Sequence, residues 1–201
     1  MKHFPIHHDD PNLASFFDRL QSIFTAMDRQ YAEIAGHYGF QCNGCEDNCC
    51  RTRFYHHTYL EYLYIHSGFN NLAIQTKQEI LSRAGDVCRN NDMADEKHTT
   101  ARAMCPLNFD GLCSLYNYRP MICRLHGIPH EIRKPGQNIV RGPGCGMFAV
   151  HCSDKRYRKF DRTPIYFAMA KLESELKQAL GLTSKIKLTI AEMIMGKAHS
   201  A

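Results

Sequence analysis

The stretch Cys42-Asn-Gly-Cys45-Glu-Asp-Asn-Cys49-Cys50 packs four thiols into nine residues, with no other apolar side chain among them. As thiolates the four would repel one another, and as neutral thiols they gain little by clustering. A soft cation removes the conflict, because zinc and iron bind thiolate sulfur directly. The rest of the chain then reads as a scaffold that brings further cysteines to this stretch.

The next cysteines lie in Cys105-Pro-Leu-Asn-Phe-Asp-Gly-Leu-Cys113-Ser-Leu-Tyr-Asn-Tyr-Arg-Pro-Met-Ile-Cys123-Arg. Asp110-Gly111 is a tight-turn signal that folds Cys105 and Cys113 toward each other. Pro106 keeps Cys105 out of helical geometry. Arg119-Pro120 sets up a turn or short helix that delivers Cys123. Pro135-Gly136 marks a small hairpin between Ile128–Arg133 and Asn138–Arg141. Cys145 follows from a loop, and Cys152 seven residues later. Seven or eight thiols exceed what one tetrahedral zinc uses. Adjacent cysteines such as Cys49 and Cys50 point apart and need not serve the same atom. Two zinc ions, or an iron–sulfur cluster with extra thiols beside it, both fit.

Around these segments the pattern is helical. Leu13, Phe16, Phe17, Leu20, Ile23, Phe24, Met27, Tyr31 and Ile34 recur at helical spacing, which predicts an amphipathic helix over 11–38. Asp10 is its expected cap and Pro11 its first residue. Residues 51–55 read as extended. Thr58 with Glu61 is a capping-box pattern opening a helix through Leu60, Leu63 and Tyr64. A further helix is expected over about 71–88, with Cys88 as a non-ligand thiol near its end. Residues 89–104 are polar and weakly patterned, and are expected to form a mobile connection or a loop over the site. Thr163-Pro164 opens a helix that ends at Gly181, and Thr189 with Glu192 opens a last one closed by Gly196. The expected fold is α-rich (α+β): one domain over 1–201, with amphipathic helices around an irregular cysteine-rich core at about 40–152 and a small β-hairpin.

The 201 residues, 44% of them hydrophobic, suffice for one real core. The N-terminal residues show no continuous apolar run of the secretory kind, and no window is long and apolar enough for a membrane span. Both point to the cytoplasm, where ten cysteines favour metal ligation over disulfides. The formal net charge of +5 would fall to about +1 with eight bound thiolates and two divalent ions, so basicity is weak support for nucleic-acid binding.

Several blander assignments compete. A thioredoxin-like role for Cys42 and Cys45 needs a strand before the motif, whereas a helix precedes it. Ordinary buried cysteines do not concentrate among Gly, Asn and Pro. Arg119 and Arg124 flank Cys123 and either tune the thiols or pair with surface carboxylates. His126 and His130 read as structural histidines rather than ligands, and Tyr116 as a core residue. The basic run 155–162 reads as a solvated loop before a helix rather than a nucleic-acid patch.

The combination Cys-x2-Cys-x3-Cys-Cys at 42–50 with Cys-Pro-Leu, Gly-x-Cys-Ser-Leu-Tyr, Arg-Pro and Cys-Arg at 105–124 resembles the bacterial YkgJ-type cysteine-cluster proteins, the CxxCxxCC domain associated with zinc or iron chelation. The resemblance covers about residues 40–150. It implies metal ligands at Cys42, Cys45, Cys49, Cys50, Cys105, Cys113 and Cys123. For an eighth, Cys145 is the better match and Cys152 the competitor. Three residues precede the Cys49-Cys50 pair here, where the family has two. The family also includes flagellin lysine N-methylases, iron–sulfur enzymes using S-adenosylmethionine, but this chain supplies no separate methyl-donor signature. The expected function is a metal-binding protein with an iron–sulfur centre favoured over zinc. The alternatives are a zinc-stapled module for a protein partner and a cluster-dependent oxidoreductase or lysine methyltransferase.

Overall fold

The computed structural model describes residues 11–42, 49–134 and 136–196. Cys45, Asp10 and Pro135 therefore lie outside the described residues.

Helix α1 (Pro11–Tyr38) presents one apolar stripe. Leu13, Leu20, Phe24, Met27 and Ile34 are buried, and Phe16, Phe17, Ile23 and Tyr31 pack at the edge of the core. The 3.6-residue period forces this one-sided burial. Helix α2 (Tyr59–Asn70) is buried on most of its circumference, from Tyr59 to Ile65 and again at Gly68 and Phe69, because it crosses the centre. It packs against α1 and against α6 (Thr163–Ala179), which also covers α1. Thr58 caps α2, its hydroxyl accepting from Glu61 N at 3.2 Å. The Glu61 carboxylate accepts in turn from the Thr58 hydroxyl and, across the fold, from Met121 N at 2.8 Å.

Helix α3 runs Ile74–Glu96, which corrects the expectation of a loop from residue 89. Its buried positions are Ile80, Ala84, Cys88, Asn91 and Ala94. They form one unbroken helical stripe, but its last two members are an amide and a methyl group, too weakly apolar to signal helix. The stripe packs on α7 (Ile190–Ile194), which begins with a complete Thr189–Glu192 capping box. Cys88 is buried in this packing.

Two small antiparallel hairpins complete the α+β fold, one more than the sequence suggested. Strands β1 (Asn108–Phe109) and β2 (Leu112–Cys113) pair Asn108 with Cys113. Asp110 and Gly111 join them with φ of 50° and 87°, the two positive values that a type I′ turn requires. Strands β3 (His130–Arg133) and β4 (Ile139–Gly142) form the second hairpin. Short helix α4 (Met121–Leu125) carries Cys123, and α5 (Gly146–Cys152) starts at Cys145 and ends at Cys152. Among the described residues no helix is long and apolar enough to cross a membrane.

One close approach fixes α2 against the segment before α4. A Cβ on Gly68 would stand 2.5 Å from the Tyr118 ring. Gly68→Ala should therefore destabilise the protein by about 1–3 kcal/mol through overpacking. A denaturant titration reads this out, and an unchanged midpoint would mean that the ring yields without cost.

Candidate metal centre

Three segments deliver thiols to one cavity of about 310 Å³. Residues Cys49–Arg51 form a single 3₁₀ turn. The β1–β2 hairpin supplies Cys113, with Cys105 just before it, and α4 supplies Cys123. Cys42, Cys49, Cys50, Cys105, Cys113 and Cys123 all border the cavity. Backbone bonds set their register. Cys105 N donates to Cys50 O at 2.8 Å, Asn108 N to Cys105 O at 3.0 Å, and Ser114 N to Leu107 O at 2.8 Å.

Cys50, Cys105, Cys113 and Cys123 form one electrostatic group in which every pair interacts. Burial pushes Cys105 up to about 12, raises Cys113, and holds Cys123 well above an ordinary thiol. Cys123 is half-buried at the cavity wall, and desolvation there opposes its ionisation. Cys50 goes the other way, down to about 6. The main cause is a hydrogen bond from the Cys49 thiol, with help from the Asn108 amide and the Arg119 charge. Asn108 Oδ1 accepts from Gly111 N at 3.1 Å, which leaves its NH₂ group to face Cys50. Cys49, the donor of the pair, is raised.

A second grouping surrounds Tyr31, whose hydroxyl donates to His126 O at 2.8 Å. Cys42, Cys49 and Cys145 all act on this phenol and, with burial as the larger cause, raise its pKa. Cys145 N donates to Gly127 O at 2.9 Å, and its sulfur accepts from Phe148 N at 3.5 Å. Cys152 is elsewhere: its thiol is buried in the core and donates to Tyr38 O at 3.6 Å. Of the two downstream candidates, Cys145 shares Tyr31 with Cys42 and Cys49, and Cys152 does not. Among the described residues no three His, Cys, Asp or Glu side chains stand as a formed metal-binding group.

The two arginines divide their tasks. Arg119 lowers Cys50 and opposes the rise at Cys113 and Cys123. Arg124 is buried and pairs with Asp28 at 2.5 Å, while donating to Arg119 O and Asn117 O. It clamps the loop that carries Arg119. Tyr116 corrects the core expectation. It is 59% exposed, with the Arg119 guanidinium 3.5 Å from its ring centroid, so the cation shields its face where packing was expected. His126 stacks edge-on to Phe54 and His130 lies against Gly142; neither borders the cavity. The basic run is partly spent on structure. Phe160 and Arg162 are buried, Arg162 donating to Leu125 O and Ile128 O, and Tyr157 donates to Glu131.

Asn108, Tyr31, Arg53 and His56 were not singled out from sequence. An Asn three residues before Gly in a hairpin is the one readable signal among them. No family model, curated protein or solved structure matches the chain.

The thiols should differ in reactivity once reduced and treated with chelator. Thiolate is the alkylated form, so labelling of Cys50 should rise through about pH 6, while Cys105 should stay unreactive until about pH 12. Because the Cys49 hydrogen bond is the largest cause, Cys49→Ala should raise the Cys50 midpoint more than Arg119→Met does. Iodoacetamide labelling with peptide mass mapping measures both, and the reverse order would refute this assignment of causes.

Proposed function

We propose that this chain is a metal protein whose cysteines hold an iron–sulfur centre, with zinc as the competing metal. One observation supports the reading: Cys50, Cys105, Cys113 and Cys123, brought by three segments, border a single cavity. Burial disfavours charge on Cys105, Cys113 and Cys123, yet three backbone segments keep them together with Cys50. A cation that binds thiolate compensates both the desolvation and the repulsion, and four sulfurs are the donor set that tetrahedral zinc or an iron–sulfur cluster takes.

Iron–sulfur is favoured because thiols beyond four are at hand. Cys42, Cys49 and Cys145 gather around Tyr31, with Cys45 in the intervening sequence. The likeness to YkgJ-type cysteine-cluster proteins supports the same set, Cys42, Cys45, Cys49, Cys50, Cys105, Cys113, Cys123 and Cys145. Bound there, the group would supply electron transfer if iron and sulfide, or a structural staple if zinc. The residues around it have defined tasks. Asn108 and Arg119 stabilise negative charge on sulfur, and Arg124 holds Arg119 in place, the kind of outer support that tunes a metal site. An oxidoreductase role follows naturally for a redox-active cluster. Nothing in the cavity singles out S-adenosylmethionine, and methyl transfer is not part of this proposal.

Anaerobic purification with metal analysis, acid-labile sulfide assay and a visible spectrum tests the reading. Iron with sulfide and broad absorbance near about 400 nm is the expected result; stoichiometric zinc without colour would replace iron–sulfur by zinc. Cys113→Ala and Cys123→Ala should lose most of the metal, whereas Cys88→Ala and Cys152→Ala should keep it and lose only packing, about 1–2 kcal/mol. Full metal retention in both of the first pair would overturn the ligand set.

A further inference from the structure

The second hairpin has an edge that the fold does not use. On its inner side β3 is tied to the segment before α6. Glu131 N donates to Phe160 O at 2.8 Å, Arg162 N to Glu131 O at 2.9 Å, and Arg133 N to the Thr163 hydroxyl at 2.8 Å. The main-chain groups of Glu131 and Arg133 therefore point away from β4. The ladder between the strands runs instead through His130 with Gly142 and Ile132 with Val140. Because these groups alternate along a strand, the N–H and C=O of Ile139 and Arg141 face outward, away from β3. Among the described residues no main-chain or side-chain group bonds to them.

The side chains along this edge fit it to receive a further strand. Val140 is 53% and Ile139 40% exposed, and β-branched residues beside unpaired ladder groups form a template for pairing. Charge decides what can pair there. The hairpin over 130–142 carries Arg133, Lys134 and Arg141 at its surface. Its one carboxylate, Glu131, is buried and accepts from the Tyr157 hydroxyl at 2.9 Å and from Arg141 Nε at 3.2 Å. The accessible charge of the hairpin is thus positive. A second copy of this chain, paired β4 to β4, would set these cations against their own kind, which opposes self-association.

We propose that β4 is a docking edge for an extended acidic segment of a partner protein, which adds as a further strand and bonds to the main chain of Ile139 and Arg141. In this mode of recognition the main chain supplies affinity and alternate side chains supply specificity. Side chains alternate across the sheet. The partner residue opposite Arg141 is therefore Asp or Glu, and its neighbour opposite Val140 lies on the other face and is apolar. The site goes beyond the metal reading and takes no thiol, although β4 leads through a short loop to Cys145.

The probes are a short blocked peptide alternating glutamate and valine, its lysine–valine counterpart, and a short oligothymidylate. Each is titrated into the full ¹⁵N-labelled chain. For the acidic peptide, saturable shifts and slowed hydrogen exchange at the Ile139 and Arg141 amides are expected. Its dissociation constant should lie below about 1 mM and be at least about tenfold lower than that of the lysine peptide. Ile139→Pro removes an outward N–H at the first residue of the strand, where proline is tolerated, and should weaken binding several-fold. Arg141→Met removes the charge without touching the ladder, and should shrink the preference for the acidic peptide several-fold even if Ile139→Pro fails to fold. No saturation below about 1 mM, equal binding of the lysine peptide, or full affinity and preference in the folded variants would overturn the proposal. Tighter oligothymidylate binding at the same amides would overturn it in favour of nucleic acid, and a peptide-free dimer that protects them would overturn it in favour of a second copy.

Discussion

The constraint on which the rest depends is the burial of sulfur. Cys105, Cys113 and Cys123 sit where ionisation is disfavoured, and Cys50 sits among them as the one thiol pushed toward thiolate. An apolar core would tolerate neutral thiols singly, as it does Cys88 and Cys152. It does not need four at one cavity, with the Asn108 amide and the Arg119 charge both acting on Cys50. The electrostatics favour negative charge at Cys50 alone, and the backbone keeps the four sulfurs at one cavity.

That backbone is unusual in being built from pieces too short to persist alone. A 3₁₀ turn of three residues, a hairpin of two-residue strands and a helix of five carry the thiols. Isolated helices and hairpins of this size are marginal in water. Long helices hold them instead, through side chains that bond to backbone. From α3, Arg83 donates to Asn108 O at 2.5 Å and lies 4.4 Å from the Phe109 ring. From α2, Glu61 fixes Met121 N. From α1, Asp28 anchors Arg124, and Tyr31 fixes the carbonyl of His126. Helices α1, α2 and α3 thus each spend polar side chains on positioning a thiol-bearing segment.

This arrangement explains what was legible in the sequence. The α1 stripe, the Thr189–Glu192 capping box and the Asp110-Gly111 turn depend on residues within a few positions of each other, so local pattern revealed them. The C-terminal part of α3 did not show, because Asn91 and Ala94 are buried by α7 from far along the chain rather than by their own hydrophobicity. Tyr116 was misread because an aromatic ring reads as core, whereas Arg119 makes a partner for it at the surface. His56 is silent in sequence altogether. Its burial comes from pairing with Leu188, over a hundred residues away. The cysteine spacing suggested that the two clusters meet, and the fold brings Cys42, Cys49, Cys50, Cys105, Cys113 and Cys123 to one cavity.

The placement of those holding side chains bears on how a centre and the fold would influence each other. In a small zinc domain the ligands fold only with the metal, because nothing else orders them. Here the ordering groups are polar residues on helices that bury their own apolar faces, and most of their bonds end on backbone rather than on sulfur. The energy that assembles α1, α2, α3 and α6 comes from burial of side chains such as Leu20, Leu60, Ile80 and Leu172, which touches no thiol chemistry. Sulfur ligation would then act chiefly on the last step, drawing together side chains whose main chains are already in register. A site preorganised in that way loses little conformational entropy on closing.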